Sequence, residues 1–222
     1  MKKIIISLSI IAVVAAVGVG VTTAYFTDTE ISEDNTMAAG TMDLNIDGGN
    51  TAVKTMNLSN KAPGDSGVGT ETLKNVGSLE GKLDIKMGTV TNYPCTDNTY
   101  GANDSTENCT SDAGALGMNA QMALYIDIDQ SGDWNSNDIG LDAGGLIYKN
   151  TGPIALDYAD IDDYSDDIWN DVYALLLMGL NIEDNFVIDW KIPTVTGNEV
   201  QGDALEFDVS FILRQADAPA TN

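Results

Sequence analysis

The sequence predicts an all-β fold: a jelly-roll-like sandwich of two β-sheets with one helical insertion, preceded by an N-terminal signal helix. Three observations predict it. About eight short segments alternate apolar and polar residues with the period of a half-buried strand. Turn residues separate them at short intervals: Gly48-Gly49, Pro63-Gly64-Asp65, Gly77-Ser78 and Pro193. Only residues 165–180 carry helical spacing, so helices are too few for an α/β layer.

Residues 1–24 read as a secretion leader. Lys2-Lys3 precede an apolar run from Ile4 to Val21, and small residues lead to Ala24; this is the basic, apolar and small-residue order of a signal peptide. The competing reading is a transmembrane anchor, for which the run is borderline in length. Residues 25–222 then form a single sandwich domain. The segment 25–36 mixes threonine and aromatics with acids and has the character of an unpaired strand. Met42, Leu44 and Ile46 alternate with Asp43, Asn45 and Asp47 as the next strand. Val53 to Leu58, Thr70 to Val76 and Leu83 to Met87 continue the β pattern.

Residues 92–114 form a polar loop around the only two cysteines, Cys95 and Cys109. In an exported chain such a pair fits one disulfide. The loop also holds two glycosylation sequons, at Asn103 and Asn108, with a third at Asn57. Met122, Leu124, Ile126 and Ile128 alternate into an acidic loop, and Leu146 to Tyr148 is a short strand. Over 165–180, Ser165 is the expected N-cap of a helix bearing Ile168, Val172, Leu175, Leu176 and Met178 toward the core. Phe186 to Ile192 and Leu205 to Leu213 complete the strands, the last with the cleanest alternation in the chain.

Composition excludes several functions. The 222 residues hold 34 acids against 10 bases and no histidine, for a formal net charge of −24. Nucleic-acid partners are excluded by that balance, since phosphates are met by Lys and Arg. The absence of histidine removes the usual general base and the commonest zinc ligand. The expectation is therefore that the chain is not an enzyme and has no catalytic residues.

The sharpest local motif is Asp127-Ile128-Asp129-Gln130-Ser131-Gly132-Asp133-Trp134-Asn135-Ser136-Asn137-Asp138. Counted as a calcium loop of the EF-hand kind, Asp127 takes the first position, Asp129 the third, Ser131 the fifth and Gly132 the turn glycine. Asp133 offers its backbone carbonyl and Asp138 closes the loop. Hard oxygen ligands at alternating positions around a glycine bend suit a structural calcium ion. A bare Asp-Gly hairpin tip is the alternative. The acids from Asp157 to Asp167 match no such loop and read as a solvated stretch.

Several short segments resemble the TasA/camelysin family of exported fibre proteins of bacteria and archaea. They are Thr23-Ala24-Tyr25-Phe26-Thr27-Asp28, Ala39-Gly40-Thr41-Met42-Asp43-Leu44, Met56-Asn57-Leu58-Ser59-Asn60 with Pro63-Gly64-Asp65, and Asn75-Val76-Gly77-Ser78-Leu79. Trp190-Lys191-Ile192-Pro193 and Gly197 to Asp203 add to them. The resemblance implies a jelly-roll subunit, a leader removed by a signal peptidase, and contact with the membrane only through that leader. It also implies an extracellular, cell-surface filament, a pilus or biofilm-matrix fibre. Identical subunits would join by donor-strand complementation, residues 25–36 entering a neighbour with Tyr25, Phe26 and Ile31 as anchors. The alternative is that 25–36 is the subunit's own first strand. Some camelysin relatives are labelled metallopeptidases, but this sequence has no HExxH motif. A secreted peptidase and a monomeric calcium-binding adhesion module are the competing functions.

Overall fold

The computed structural model describes residues 41–49, 53–97, 114–149, 155–173, 178–179 and 181–221. The leader, Tyr25, Phe26, Ile31 and Cys109 lie outside the described residues. The compact unit that holds the sheets spans Gly40–Asn222. Its strands are β1 (Leu44–Ile46), β2 (Val53–Ser59), β3 (Ser66–Asn75), β4 (Lys82–Met87), β5 (Thr91–Tyr93), β6 (Gln121–Asp127), β7 (Ile139–Asp142), β8 (Leu146–Lys149), β9 (Ala159–Asp160), β10 (Ile168–Trp169), β11 (Glu183–Lys191) and β12 (Ala204–Arg214).

All pairs are antiparallel and fall into two sheets. One runs β1-β3-β11-β6-β7-β8 with β9 on β6; the other runs β10-β4-β12-β2 with β5 on β12. The pairing is nested. β2 pairs with β12, β3 with β11, β4 with β10, and β6 with β7, and the chain crosses from sheet to sheet between β2, β3 and β4. A long antiparallel hairpin wound on itself in this way is a jelly roll. Among the described residues its edges stay open, since neither strand order returns to its start.

Alternation explains the core. Phe186, Ile188 and Trp190 of β11 face Phe207, Val209 and Phe211 of β12, and the Phe186 and Phe211 rings meet edge to face with centroids 5.1 Å apart. Trp190 covers Gly67 of β3, where a Cβ would stand 2.9 Å from the indole. Only glycine lets the two strands keep this approach.

The expected helix over 165–180 is not formed in its described part. Residues 165–173 carry no helix, and Ile168–Trp169 instead pair with Ile85 and Lys86 of β4. Asp166 and Asp171 have φ of +64° and +56°, which no right-handed helix accepts. Val172 and Met178 still reach the core, as does Trp169, whereas Ile168 is half-buried outside it. The α-helix among the described residues is a single turn, α1 (Leu116–Asn119), which plugs one end of the core through Leu116. The expected 92–114 loop starts as strand, because Thr91–Tyr93 extends the β12 edge. Cys95 is fully buried just beyond it, and no described cysteine is free.

Two buried polar groups stand out. Arg214, at the end of β12, donates from Nε to Asp84 Oδ2 at 2.7 Å, from Nη1 to the Ala218 carbonyl at 2.7 Å, and from Nη2 to Asp171. Asp84 also accepts from Asp171 N at 2.8 Å and Thr221 Oγ1 at 2.7 Å, which holds the chain after β12 against β4. The second group is Asp184. Its Oδ2 accepts from Tyr173 Oη at 2.6 Å, while its Oδ1 is buried with no partner among the described residues. Burial raises its pKa, Tyr173 opposes that, and the Asp127 charge adds to it. A carboxyl raised in the folded state favours folding most below its unfolded value, near 3.9. That contribution is lost as pH rises through the folded value. Asp184→Asn is expected to gain stability relative to wild type as pH rises from about 4 to 7, by about 1 kcal/mol. Thermal melts across that range check it; a difference independent of pH would contradict it.

Candidate functional site

Sheet pairing builds the site. β6 is held between β11 and β7, and β7 returns beside it with Ile126 opposite Ile139. Asp127 closes β6 and Asp138 precedes β7, so the acidic loop is a hairpin tip with a fixed base. Both carboxylates are fully buried, whereas Asp129 is exposed. Oxygens of Asp127, Asp129 and Asp138 lie within 4.8 Å of one another.

The backbone curls around these oxygens. Asp127 accepts from Ser131 N at 3.1 Å and Gly132 N at 2.9 Å. Asp138 accepts from Asn135 N at 2.7 Å and Ile128 N at 3.3 Å. Gln130 and Gly132 take positive φ, +54° and +79°, to make the bend. Nothing lies within 4 Å of a Cβ placed on Gly132, so its role is conformational, not spatial.

Asn135, which the sequence pattern left without a role, occupies the middle of the loop. Its Nδ2 donates to Asp129 Oδ1 at 3.1 Å, Ser131 Oγ at 2.8 Å and the Asp133 carbonyl at 3.2 Å. One donor thus gathers the side-chain, hydroxyl and carbonyl oxygens expected at the third, fifth and seventh loop positions. Asn137 Nδ2 adds a 2.6 Å bond to Asp129 Oδ2. The signal for Asn135 was present: it holds the ninth position, which often acts through water in calcium loops. Side-chain bonds from Asn137, Ser131 and Asn135 hold the Asp129 carboxyl well below the usual range. Burial, with the charges of Asp127 and Asp129, pushes Asp138 up. Three carboxylates gathered within 4.8 Å repel one another, which a divalent cation would relieve.

The loop is also stapled outside the sandwich. The Trp134 ring packs between Tyr125 of β6 and Tyr148 of β8, with centroids 5.4 and 5.7 Å away, both edge to face. Burial and nearby carboxylates, first that of Asp127, push the Tyr125 hydroxyl up to about 12. The acids from Asp157 to Asp167 do not gather into a comparable group among the described residues. They cap turns instead: Asp162 accepts from Asn92 at 2.9 Å, Asp166 from Thr89 at 2.8 Å and Asp167 from Gly144 N at 2.7 Å.

A catalytic zinc does not fit these residues. There is no histidine in the chain. An all-carboxylate, carbonyl and hydroxyl set is hard, and prefers calcium to zinc.

Fold and loop together define a class, an open antiparallel jelly roll with an oxygen-lined hairpin and no histidine chemistry. The family model described as camelysin metallo-endopeptidase matches residues 1–219, and the chain belongs to this family, which also includes the TasA proteins. Its members are typically secreted. No curated protein matches the chain.

Proposed function

We propose that the protein is a structural subunit of an extracellular filament, joined copy to copy by donor-strand complementation and stabilised by calcium. The observation that carries this reading is the open sandwich, whose sheets end on β1, β8, β2 and β10. Edge strands offer unpaired N–H and C=O groups, and a strand supplied by another copy satisfies them while burying alternate side chains. Membership of a typically secreted family and the leader pattern at 1–24 agree with it. A Cys95–Cys109 disulfide suits the same oxidising destination.

The test is negative-stain imaging of residues 25–222. Filaments are expected from this chain. Deletion of 25–36 is expected to abolish them while far-UV circular dichroism stays that of the folded subunit. Filaments from the deletion variant would contradict strand donation.

Calcium is proposed to sit in the 127–138 loop on Asp127, Asp129, Ser131 Oγ, the Asp133 carbonyl and Asp138, displacing the Asn135 amide. At a free calcium concentration a hundred times the dissociation constant, binding stabilises the fold by about 2.7 kcal/mol. Calorimetry of wild type is expected to show binding heat that Asp127→Ala and Asp138→Ala remove; unchanged heat in both variants would place the ion elsewhere.

The family description supports a second reading, a metallo-endopeptidase. Chelator-sensitive casein hydrolysis that is lost on changing one specific carboxylate would favour it. A monomer that persists at high concentration with calcium would favour an adhesion module.

A further inference from the structure

Lys54, Asp47 and Glu71 meet beside the core, away from the acidic loop. Register fixes which way two of them point. Lys54 of β2 stands opposite Val209 of β12, and Glu71 of β3 stands opposite Phe186 of β11. Directly opposed residues share a face of their sheet. Val209 and Phe186 belong to the core, so Lys54 and Glu71 face inward from different sheets. They reach one another across the sandwich: Lys54 Nζ lies 2.7 Å from Glu71 Oε2. Asp47, just after β1, supplies a third group. Its Oδ2 accepts from the same Nζ at 2.7 Å, and its Oδ1 is fixed by Thr72 N at 2.8 Å.

The two carboxyls are not equivalent. Glu71 is the more enclosed, its side chain 27% exposed against 41% for Asp47, and its Oε2 has no surface open to water. Met56, Phe186, Ile188, Val209 and Phe211 line the narrow cavity beside it. Burial first, and then the neighbouring Asp47, raise the Glu71 pKa, with Lys54 opposing. Asp47 is lowered against burial, by Glu71 first and then by Lys54 and the Thr72 N–H. Glu71 therefore keeps its proton to higher pH than Asp47 does. An amine, a neutral carboxylic acid and a carboxylate base in mutual contact are what an amide condensation requires. Asp47 and then Glu71 raise the Lys54 pKa. The free amine therefore arises by proton transfer within the cluster, not by titration in bulk solvent.

We propose that Lys54 and Glu71 condense into an intramolecular isopeptide bond that joins β2 to β3 across the sandwich. Asp47 takes one proton from the Lys54 ammonium. The freed Nζ attacks Glu71 Cδ, and the C–N bond forms as the bond from Cδ to the hydroxyl oxygen breaks. A second amine proton passes to that hydroxyl, which leaves as water. Asp47 ends protonated and returns its proton to solvent. The step needs no further reactant. Folding drives it, because groups held in contact react as though present at about 10⁵ M or more. The product ties the two sheets together covalently on the side where β2 ends its sheet.

The test is mass spectrometry of the purified chain after disulfide reduction, with peptide mapping. Wild type is expected to be one water lighter than its sequence, with the peptides that contain Lys54 and Glu71 joined. Lys54→Arg and Glu71→Ala are expected at full sequence mass, and Asp47→Asn is expected to be largely unlinked. Wild type at full sequence mass would overturn the bond. Water lost only as a succinimide at Asp47-Gly48, or a link from Lys54 to Asp47, would overturn the assigned pair. Asp47→Asn linked as completely as wild type would overturn the assignment of the base. The deciding measurement is made on wild type in denaturant, so it stands even where a variant fails to fold.

Discussion

Asp84→Ala is expected to lower the unfolding free energy by about 3–5 kcal/mol, because it leaves the Arg214 guanidinium buried without its main partner. Asp84 has no exposed surface, and Arg214 is 9% exposed. Six hydrogen bonds centre on this carboxylate and guanidinium, the direct pair and those with Asp171, Ala218 and Thr221. The loss therefore reaches the end of β12 and the segment after it, not one contact. The same group sets an acid limit. Burial pushes the Asp84 carboxyl up, but Arg214 and the N–H groups of Asp171 and Thr221 outweigh it and hold the carboxyl below its usual value. A depressed folded pKa contributes stability that is complete above the unfolded value, near 3.9, and disappears as pH falls through the folded value. Wild type should lose this contribution only below about pH 4; the alanine variant should lack it at neutral pH. Chemical denaturation at pH 7 and pH 3 measures both, and a variant within 1 kcal/mol of wild type at pH 7 would show that the pair contributes little net.

Phe211→Ala should cost about 3–5 kcal/mol for a different reason, loss of packing and an unfilled cavity. Phe211 is 1% exposed and meets Phe186 of the opposite sheet edge to face. The ring joins the two layers within the buried core. Phe186, Ile188, Val209 and Met56 surround the ring and would have to move to fill the space. Denaturant midpoints measure this directly. Phe211→Leu, which keeps most of the volume, should recover more than half of the loss.

How far these features were legible in the sequence depended on their range. β12 was plain because Leu205, Phe207, Val209, Phe211 and Leu213 keep strict alternation over a long strand. β6, β11 and the acidic loop were legible for the same reason: their pattern is local. β7 and β10 were too short to carry a period, Ile168–Trp169 being only two residues long. The 165–180 stretch misled because apolar residues at a sheet end can fall at helical spacing, while the decisive fact, left-handed backbone at Asp166 and Asp171, leaves no apolar signature. Asp129 and Asp138 announced themselves through spacing, whereas Asn135 needed the folded loop to show what its amide gathers. The Asp84–Arg214 pair was invisible because its members stand 130 residues apart.

Pairing of β2 with the last strand, β12, has a consequence for when such a chain can fold. β12 sits between β4 and β2, and Thr55 Oγ1 reaches an Asp208 carboxylate 153 residues further on, at 2.5 Å. Loop closure over such distances is slow, and partners made last by the ribosome cannot be met early. A nascent polypeptide lacking its final strand has one layer without a centre. The sandwich therefore closes only after the whole chain has been made.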